Sequence, residues 1–151
     1  MDATKLLEQD HKEVEGLFKK FEEAGDQAQK TKQDLVDKII EELTIHTEIE
    51  EEVFYPAVKS EVDDAEDEVL EAVEEHHVAE TLIEEIKGLS AEDEEFDAKV
   101  TVLIESVRHH KDEEEKEMFP KVRKAFSSEE LEQLGQRLEQ AKQQKQQQYA
   151  A

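Results

Sequence analysis

The sequence predicts an all-α protein, built as a bundle from two copies of one helical unit and followed by a short fifth helix. Only four Gly and two Pro occur among 151 residues, and β-branched residues rarely run together. This composition is typical of helices. Apolar residues recur at helical spacing through most of the chain. The chain also repeats once at an offset of about 64 residues. One long repeat indicates a pseudo-twofold bundle rather than a solenoid.

Two motifs of the form His-x3-Glu lie at equivalent places in the two copies. The first begins at His46, within residues 44–56, and the second begins at His110, within residues 108–120. The residues around them repeat in register: Ile39 with Leu103, Ile40 with Ile104, Leu43 with Val107, Phe54 with Met118, Tyr55 with Phe119, Pro56 with Pro120 and Val58 with Val122. Asp10-His11 likewise corresponds to Glu75-His76. Each copy is therefore a helix with one His followed by a helix with His-x3-Glu.

The first copy predicts two helices, from about Thr4 to Ala24 and from about Thr31 to Lys59. The first begins after a cap at Asp2 or Thr4 and ends at Gly25, with a short loop near Asp26–Lys30. Its apolar stripe, which includes His11, consists of Leu7, Val14, Leu17, Phe18 and Phe21. The stripe of the second helix consists of Leu35, Ile39, Leu43, His46, Glu50, Val53 and Phe54. Both stripes have the spacing of one helix face.

The second copy predicts a connection over Ser60–Asp64, a helix from about Ala65 to Leu89 and a helix from about Ala91 to Phe126. Ser90–Asp93 resembles a capping box, and Ser127–Glu130 is a stronger one that starts the fifth helix. The Gln-rich end, Gln143–Gln148, has no apolar face to bury and is expected to fray. We therefore assign residues 1–126 to the four-helix bundle and residues 127–151 to the C-terminal helix and its tail.

Two prolines fall inside these helical patterns. Pro56 and Pro120 each lie at the same distance after their His and Glu. A Pro inside a helix removes a backbone hydrogen bond and bends the helix, whereas a Pro beyond the last turn follows a helix that has already ended. The sequence leaves both interpretations open.

Composition and charge exclude several classes of function. The chain has 43 Asp and Glu against 19 Lys and Arg, a formal charge of −24 that repels nucleic acids and anionic lipid. No segment approaches the roughly 18 apolar residues of a membrane span, and the N-terminal residues do not form a signal peptide. The absence of Cys excludes thiolate metal sites and fits a cytoplasmic protein. The length indicates one domain, with a monomer as the default.

The paired His and Glu residues point to metal binding. Residues at i and i+4 share one helix face, so His46 with Glu50, and His110 with Glu114, point inward together with their apolar neighbours. A buried carboxylate needs a positive partner, and these stripes contain no Lys or Arg. Four His with two or three carboxylates suit Fe or Mn, and the ligand types also permit Zn. Because one ion cannot use so many ligands, the sequence predicts two metal ions.

Four segments together resemble the hemerythrin-like domain, the His-His-Glu cation-binding family. They are Asp10-His11, His46-x3-Glu50, Glu75-His76 and His110-x3-Glu114, each in its apolar frame. The resemblance covers about residues 1–126 and implies an antiparallel up-down four-helix bundle with a non-haem di-iron centre. In such a centre an oxo or hydroxo group and two carboxylates join the irons. The ligands that the resemblance implies are His11, His46, Glu50, His76, His110 and Glu114.

The chain departs from the oxygen-carrying members of that family at Glu80, where they have a second His. Glu80 follows His76 by four residues, so we predict it as a seventh ligand, with its repeat-mate Glu15 less favoured. An anionic oxygen ligand favours ferric iron, which argues against reversible O2 carriage. His77 and His109 lie about 100° from the ligand face and are expected to be exposed or to support ligands. The same holds for the repeated pair Glu51 and Glu115.

Three kinds of function follow as hypotheses. In the first, the chain is a binding module that stores O2 reversibly or senses O2, NO or iron. In the second, it is an enzyme with catalase-like activity on H2O2 or redox activity on NO. In the third, it is an acidic bundle without metal, which the repeated placement of His and Glu contradicts. Glu80 favours redox defence or sensing over carriage, and no nucleotide-binding or nucleophile motif is present.

Overall fold

Helices joined by turns make up the part of the chain that the computed structural model describes, residues 1–25 and 28–150. In chain order the elements are α1 (Ala3–Glu23), α2 (Gln29–Ile49), a π-helical segment (Glu50–Phe54), α3 (Tyr55–Glu61), α4 (Glu66–Lys87), α5 (Phe96–Glu113), a second π-helical segment (Glu114–Met118), α6 (Phe119–Ala125) and α7 (Ser128–Ala150). The predicted loop near Asp26–Lys30 falls partly outside the described residues. The predicted all-α class is confirmed.

Four long helical rods form the bundle, and α7 lies against it as a fifth. The rods are α1, α2 with α3, α4, and α5 with α6, because each π-helical segment joins its two neighbours without a break. The first two rods pack along each other, and so do the last two. Short connections between consecutive rods make neighbours antiparallel. Within the described ranges, no helix is long and apolar enough to cross a membrane.

The helix ends follow local capping chemistry. Asp2, rather than Thr4, caps α1, because its carboxylate accepts from the Lys5 backbone N–H at 3.0 Å. Ser127 and Glu130 form the predicted reciprocal box: the Ser127 N–H donates to Glu130 at 2.8 Å, and the Glu130 N–H donates to the Ser127 hydroxyl at 3.1 Å. Such a cap stabilises a helix by about 1 kcal/mol. Helix α5 begins later than predicted, at Phe96, since residues 91–95 form turns.

The prolines neither end their helices nor follow a normal α-turn. The five residues before Tyr55 and the five before Phe119 are π-helical, and the Tyr55 and Phe119 N–H groups donate to the carbonyls of Glu50 and Glu114, five residues back. This wider turn adds one residue and changes the direction of the side chains that follow. Pro56 and Pro120 then lie in the first turn of α3 and α6, where a missing N–H costs nothing.

Two apolar clusters fill the bundle, one on each side of a polar layer. The α7-side cluster includes Leu7, Ile49, Phe54, Val58, Phe119, Val122, Leu131, Leu134 and Leu138. The far cluster includes Val14, Phe18, Ile39, Leu43, Ile83, Phe96, Val100 and Leu103. On α1, His11 lies between Leu7 of one cluster and Val14 of the other. On α2, His46 lies between Leu43 and Ile49. The polar layer is therefore set by the sequence order along each rod.

Helix α7 is held to the bundle by apolar contacts and by ion pairs. Leu131, Leu134 and Leu138 belong to the α7-side cluster. Lys142 pairs with Asp10 at 2.7 Å, and Lys145 lies 3.1 Å from Glu48 and 3.0 Å from Glu52. In this structure α7 runs through the Gln-rich end to Ala150.

Candidate metal centre

The polar layer brings together the six residues that the repeated motifs predict as ligands. They form two groups whose ligand atoms lie within 4.8 Å of one another: His11, His46, Glu50 and Glu114 in the first group, and His76, His110, Glu50 and Glu114 in the second. Glu50 and Glu114 belong to both groups and are 0% and 2% exposed. Each rod contributes one His, and the two rods with His-x3-Glu also contribute the shared carboxylates.

The Nε2 atoms of the four His residues face the shared carboxylates. In the first group, the distances are 3.3 Å from His11 Nε2 to Glu114 Oε1 and 3.3 Å from His46 Nε2 to Glu50 Oε1. In the second group, they are 3.2 Å from His76 Nε2 to Glu50 Oε1 and 3.1 Å from His110 Nε2 to Glu114 Oε2. Each carboxylate therefore lies between the two groups.

Each of the four imidazoles contacts a further carboxylate through its Nδ1 atom, on the side of the ring away from the shared acids. The Nδ1 atoms lie at hydrogen-bond distance from one acid each: His11 from Glu115 (2.6 Å), His46 from Asp10 (3.0 Å), His76 from Glu51 (2.8 Å) and His110 from Glu75 (2.7 Å). An acid that accepts from Nδ1–H fixes the tautomer in which Nε2 offers its lone pair, and it raises the basicity of the ligand. The acids form two repeated pairs, Asp10 with Glu75 and Glu51 with Glu115, so the support is duplicated along with the ligands.

In the metal-free protein, protonated imidazoles supply the positive charge that the buried carboxylates need. Burial disfavours the imidazolium of His46, but the charge of Glu50 and hydrogen bonds to acids outweigh burial and raise its pKa to about 10. In His110, burial is outweighed in the same way, chiefly by the charge of Glu114, and the pKa rises to about 11. Burial would favour the neutral form of Glu114, yet the charge of His110 holds its pKa well below its usual range.

The donor atoms of the layer fit metal ions. Within residues 1–25 and 28–150, His46 Nε2, Glu50 Oε2 and Glu114 Oε1 are buried and have no partner in hydrogen-bond geometry, although His46 Nε2 and Glu114 Oε1 each have an ionic neighbour 3.3 Å away. An unsatisfied buried polar atom costs about 1–3 kcal/mol, so three in one layer need an explanation. A cation between the groups would satisfy all three. Imidazole nitrogens with carboxylate oxygens are the ligand types that iron, manganese and zinc accept.

Tyr55 adds a donor that the sequence did not predict. Its hydroxyl donates to Glu114 and lies 3.3 Å from His76 Nε2, His110 Nε2 and Glu50 Oε1, so it sits among the donors of the second group. Burial and the charges of Glu114 and Glu50 raise the pKa of this phenol well above its usual value. The one available signal was the repeat itself, where Tyr55 corresponds to Phe119.

Phe119 occupies the equivalent place in the first group without offering a donor. Its ring stacks on His11 with centroids 6.1 Å apart and an angle of 2° between the planes. The two groups are therefore unequal, because the second has four His and Glu residues plus a phenol, whereas the first has four His and Glu residues alone. The first group offers fewer donor atoms.

Glu80, predicted as a seventh ligand, lies outside both groups of the described residues. It is exposed. Four residues advance a helix by about 40° beyond a full turn, and the inward direction after His76 passes through Ala79 and Ile83, which are buried. Its repeat-mate Glu15 instead pairs with Arg108 at 2.7 Å.

The other acids and imidazoles lie as the sequence predicts. The side chains of His77 and His109 are 64% and 67% exposed. Glu51 and Glu115 are the supporting acids of His76 and His11. His76, rather than its exposed neighbour His77, faces the shared carboxylates.

Replacing Glu80 with alanine is expected to leave the metal content unchanged. The carboxylate is exposed and separate from the donors, so its loss removes no ligand. His76→Ala, one turn earlier on the same helix, provides the matched comparison and should lower the metal content. Metal analysis after reconstitution measures both. An equal loss in the two variants would make Glu80 a ligand after all.

A cavity of about 260 Å³ reaches the centre from the side of the far cluster. Its walls include Val14, Phe18, Leu43 and Ile83, and the four His residues of the polar layer border it. Arg108, Lys87 and Lys111 stand among its polar lining residues. A largely apolar cavity beside a metal layer suits a small neutral ligand.

Comparisons with known proteins agree with this architecture. The model of the Hemerythrin HHE cation binding domain matches residues 2–122, which excludes α7. A DNA nickase from Nostoc sp. is 35% identical over 133 residues, or 88% of this chain. This chain spans only 37% of that relative. A crystal structure of a hemerythrin HHE cation binding domain-containing protein from Mycobacterium kansasii is similar with a TM-score of 0.83 at 25% identity, covering 96% of this chain and 87% of that chain.

Proposed function

The chain belongs to the hemerythrin HHE cation-binding domain family, and from this premise we propose that it binds two iron ions and reacts with O2, H2O2 or NO in redox defence or sensing. The observation that carries the proposal is the pair of buried carboxylates, Glu50 and Glu114, which both groups share. Shared carboxylates suit two ions at bridging distance. The bound irons would supply electrons to, or take electrons from, the small ligand.

Different residues of the chain would bind the ions, neutralise their charge and admit the small ligand. His11 and His46 would hold one ion, and His76 and His110 the other, each kept in place by the acid behind its Nδ1 atom. The shared acids would neutralise charge on both ions. The wider cavity would admit a small ligand to the first group, which offers fewer donor atoms, and its apolar walls would exclude most water.

Tyr55 favours reactivity over reversible carriage. A phenol that gives up its proton on metal binding becomes an anionic oxygen ligand, and such ligands stabilise the ferric state. Glu114 accepts the hydrogen bond of Tyr55 and so orients the phenol towards the second group, while the proton released on metal binding would leave to solvent. The role expected of Glu80 from the sequence therefore passes to Tyr55. Reversible O2 storage and iron sensing without turnover remain the alternative functions.

The similarity to a nickase does not extend the proposal to DNA. The matched segment is about a third of that relative, and a domain of formal charge −24 repels the DNA backbone. We propose that this domain contributes metal chemistry, whatever further domains its relatives carry.

The test is to load the protein with iron anaerobically, reduce it, and mix it separately with O2, H2O2 and NO. We expect O2 or H2O2 to oxidise the reduced protein rapidly, as monitored by absorption spectroscopy. We also expect the protein to consume added peroxide. A reduced protein that binds and releases O2 repeatedly without oxidation would contradict the redox proposal and favour storage.

Tyr55→Phe is expected to remove a visible absorption band of the ferric protein, because a phenolate bound to ferric iron transfers charge to it on excitation. The variant should keep both ions and oxidise more slowly. Tyr149→Phe is the matched control, since Tyr149 is the other tyrosine of the chain and is 46% exposed. A band of equal strength in Tyr55→Phe would exclude Tyr55 as a ligand.

A further inference from the structure

A second, smaller opening reaches the polar layer, and its lining is acidic rather than apolar. It is a crevice of about 60 Å³ between α4 and the rod of α5 and α6. We call it the acidic crevice, defined by the outer residues Glu71, Glu75, Glu113 and Glu117 and the inner residues His110 and Glu114. None of the described residues that line it is Lys or Arg. Glu68 also lines the crevice and pairs with Lys121.

The inner end of the acidic crevice is the Glu114 carboxylate, which both groups share. Glu114 is 2% exposed, and its Oε1 atom, which forms no hydrogen bond among the described residues, lies 3.3 Å from His11 Nε2. An acidic opening that ends at a buried carboxylate attracts a cation. A neutral ligand gains nothing from the same surroundings.

The outer end of the acidic crevice has a group of residues that could bind a cation first. Glu75, His109 and Glu113 place one ligand atom each within 4.8 Å of one another beside the crevice. Glu75 also bonds His110, a ligand of the second group, at 2.7 Å. The donors thus continue from the surface to the centre, so an arriving ion can exchange its water ligands stepwise for carboxylate oxygens.

We propose that the acidic crevice is the route by which divalent metal ions enter the centre, while the wider cavity admits the small redox ligand. The two openings differ in charge as these roles require. In the wider cavity, three basic residues (Lys87, Arg108 and Lys111) offset part of the charge of six lining carboxylates, and most of the wall is apolar. In the acidic crevice, six carboxylates line the opening and no Lys or Arg stands among the described lining residues. The inference rests on the proposed metal centre, but it concerns only how that centre fills.

The experiment measures how fast the metal-free protein takes up Fe²⁺ under anaerobic conditions, by stopped flow, together with the metal content at equilibrium. The test variant is the double substitution Glu71→Gln and Glu117→Gln, both exposed residues of the crevice. The control is Glu80→Gln with Glu84→Gln, which removes the same two charges from residues that line the wider cavity. Melting curves check that all three proteins are folded.

We expect uptake by the crevice variant to slow roughly tenfold, within the range of electrostatic steering, with a weaker dependence on salt. Its final metal content should equal that of the wild type, and the control should fill at the wild-type rate. Equal rates in all three proteins, or equal slowing in both variants, would overturn the route. An absence of bound metal in the wild type at equilibrium would instead overturn the centre, and the route with it.

Discussion

Glu114→Ala is expected to reduce the metal content from about two ions per chain to nearly none. The side chain belongs to both groups, so its loss removes a ligand from each ion and the charge that both share. His46→Ala removes a ligand from the first group alone and should leave about one ion. Ligand sites built from several helices lose affinity steeply when one ligand is removed. Metal analysis of the reconstituted, gel-filtered proteins gives the counts.

His77→Ala is the matched control for His46→Ala, because His77 is an exposed imidazole next to a ligand. It should keep both ions. Circular dichroism establishes that Glu114→Ala remains helical, so that loss of metal is not loss of fold. Two ions retained in Glu114→Ala would show that the shared carboxylate does not bridge, and the two-ion arrangement would be wrong.

The metal-free protein is expected to lose stability as the pH rises, and the gap to the metal-bound protein should widen. His46 and His110 have pKa values of about 10 and about 11 when folded, raised from 6.5. A group with a raised pKa contributes its full stability below about pH 6.5 and loses it as the pH passes the folded value. The loss therefore falls between about pH 6.5 and 11. Bound metal replaces these protons and removes the dependence.

Melting temperatures of the two forms at about pH 6, 8 and 9.5 test this expectation. At about pH 8, metal binding should also release at least the protons of His46 and His110, measurable with an indicator dye in weak buffer. A metal-free melting temperature that stays constant over this range would mean that these imidazoles are neutral in the folded state.

Two features of the centre lay beyond the reach of sequence reasoning. In an ideal α-helix, Tyr55 would point about 140° away from Glu50, and only the π-helical turn brings it back to the same face. Glu80 has the right spacing from His76, but the packing of α4 directs Ala79 and Ile83 inward instead. Both outcomes depend on the local rotation of a helix against its neighbours. A spacing rule assumes that this rotation is ideal.

The sequence by itself determined the helices, their repeat and the six residues of the shared layer, because apolar periodicity and the i, i+4 spacing of His and Glu act within one helix. It also determined the cap at Ser127, where the interactions span four residues. The tertiary structure decided the phenol in the second group, the exposure of Glu80, the pairing of α7 with Asp10 through Lys142, and the separate acidic and apolar openings. These features depend on side chains from different rods, and distances between rods are set by packing rather than by order along the chain.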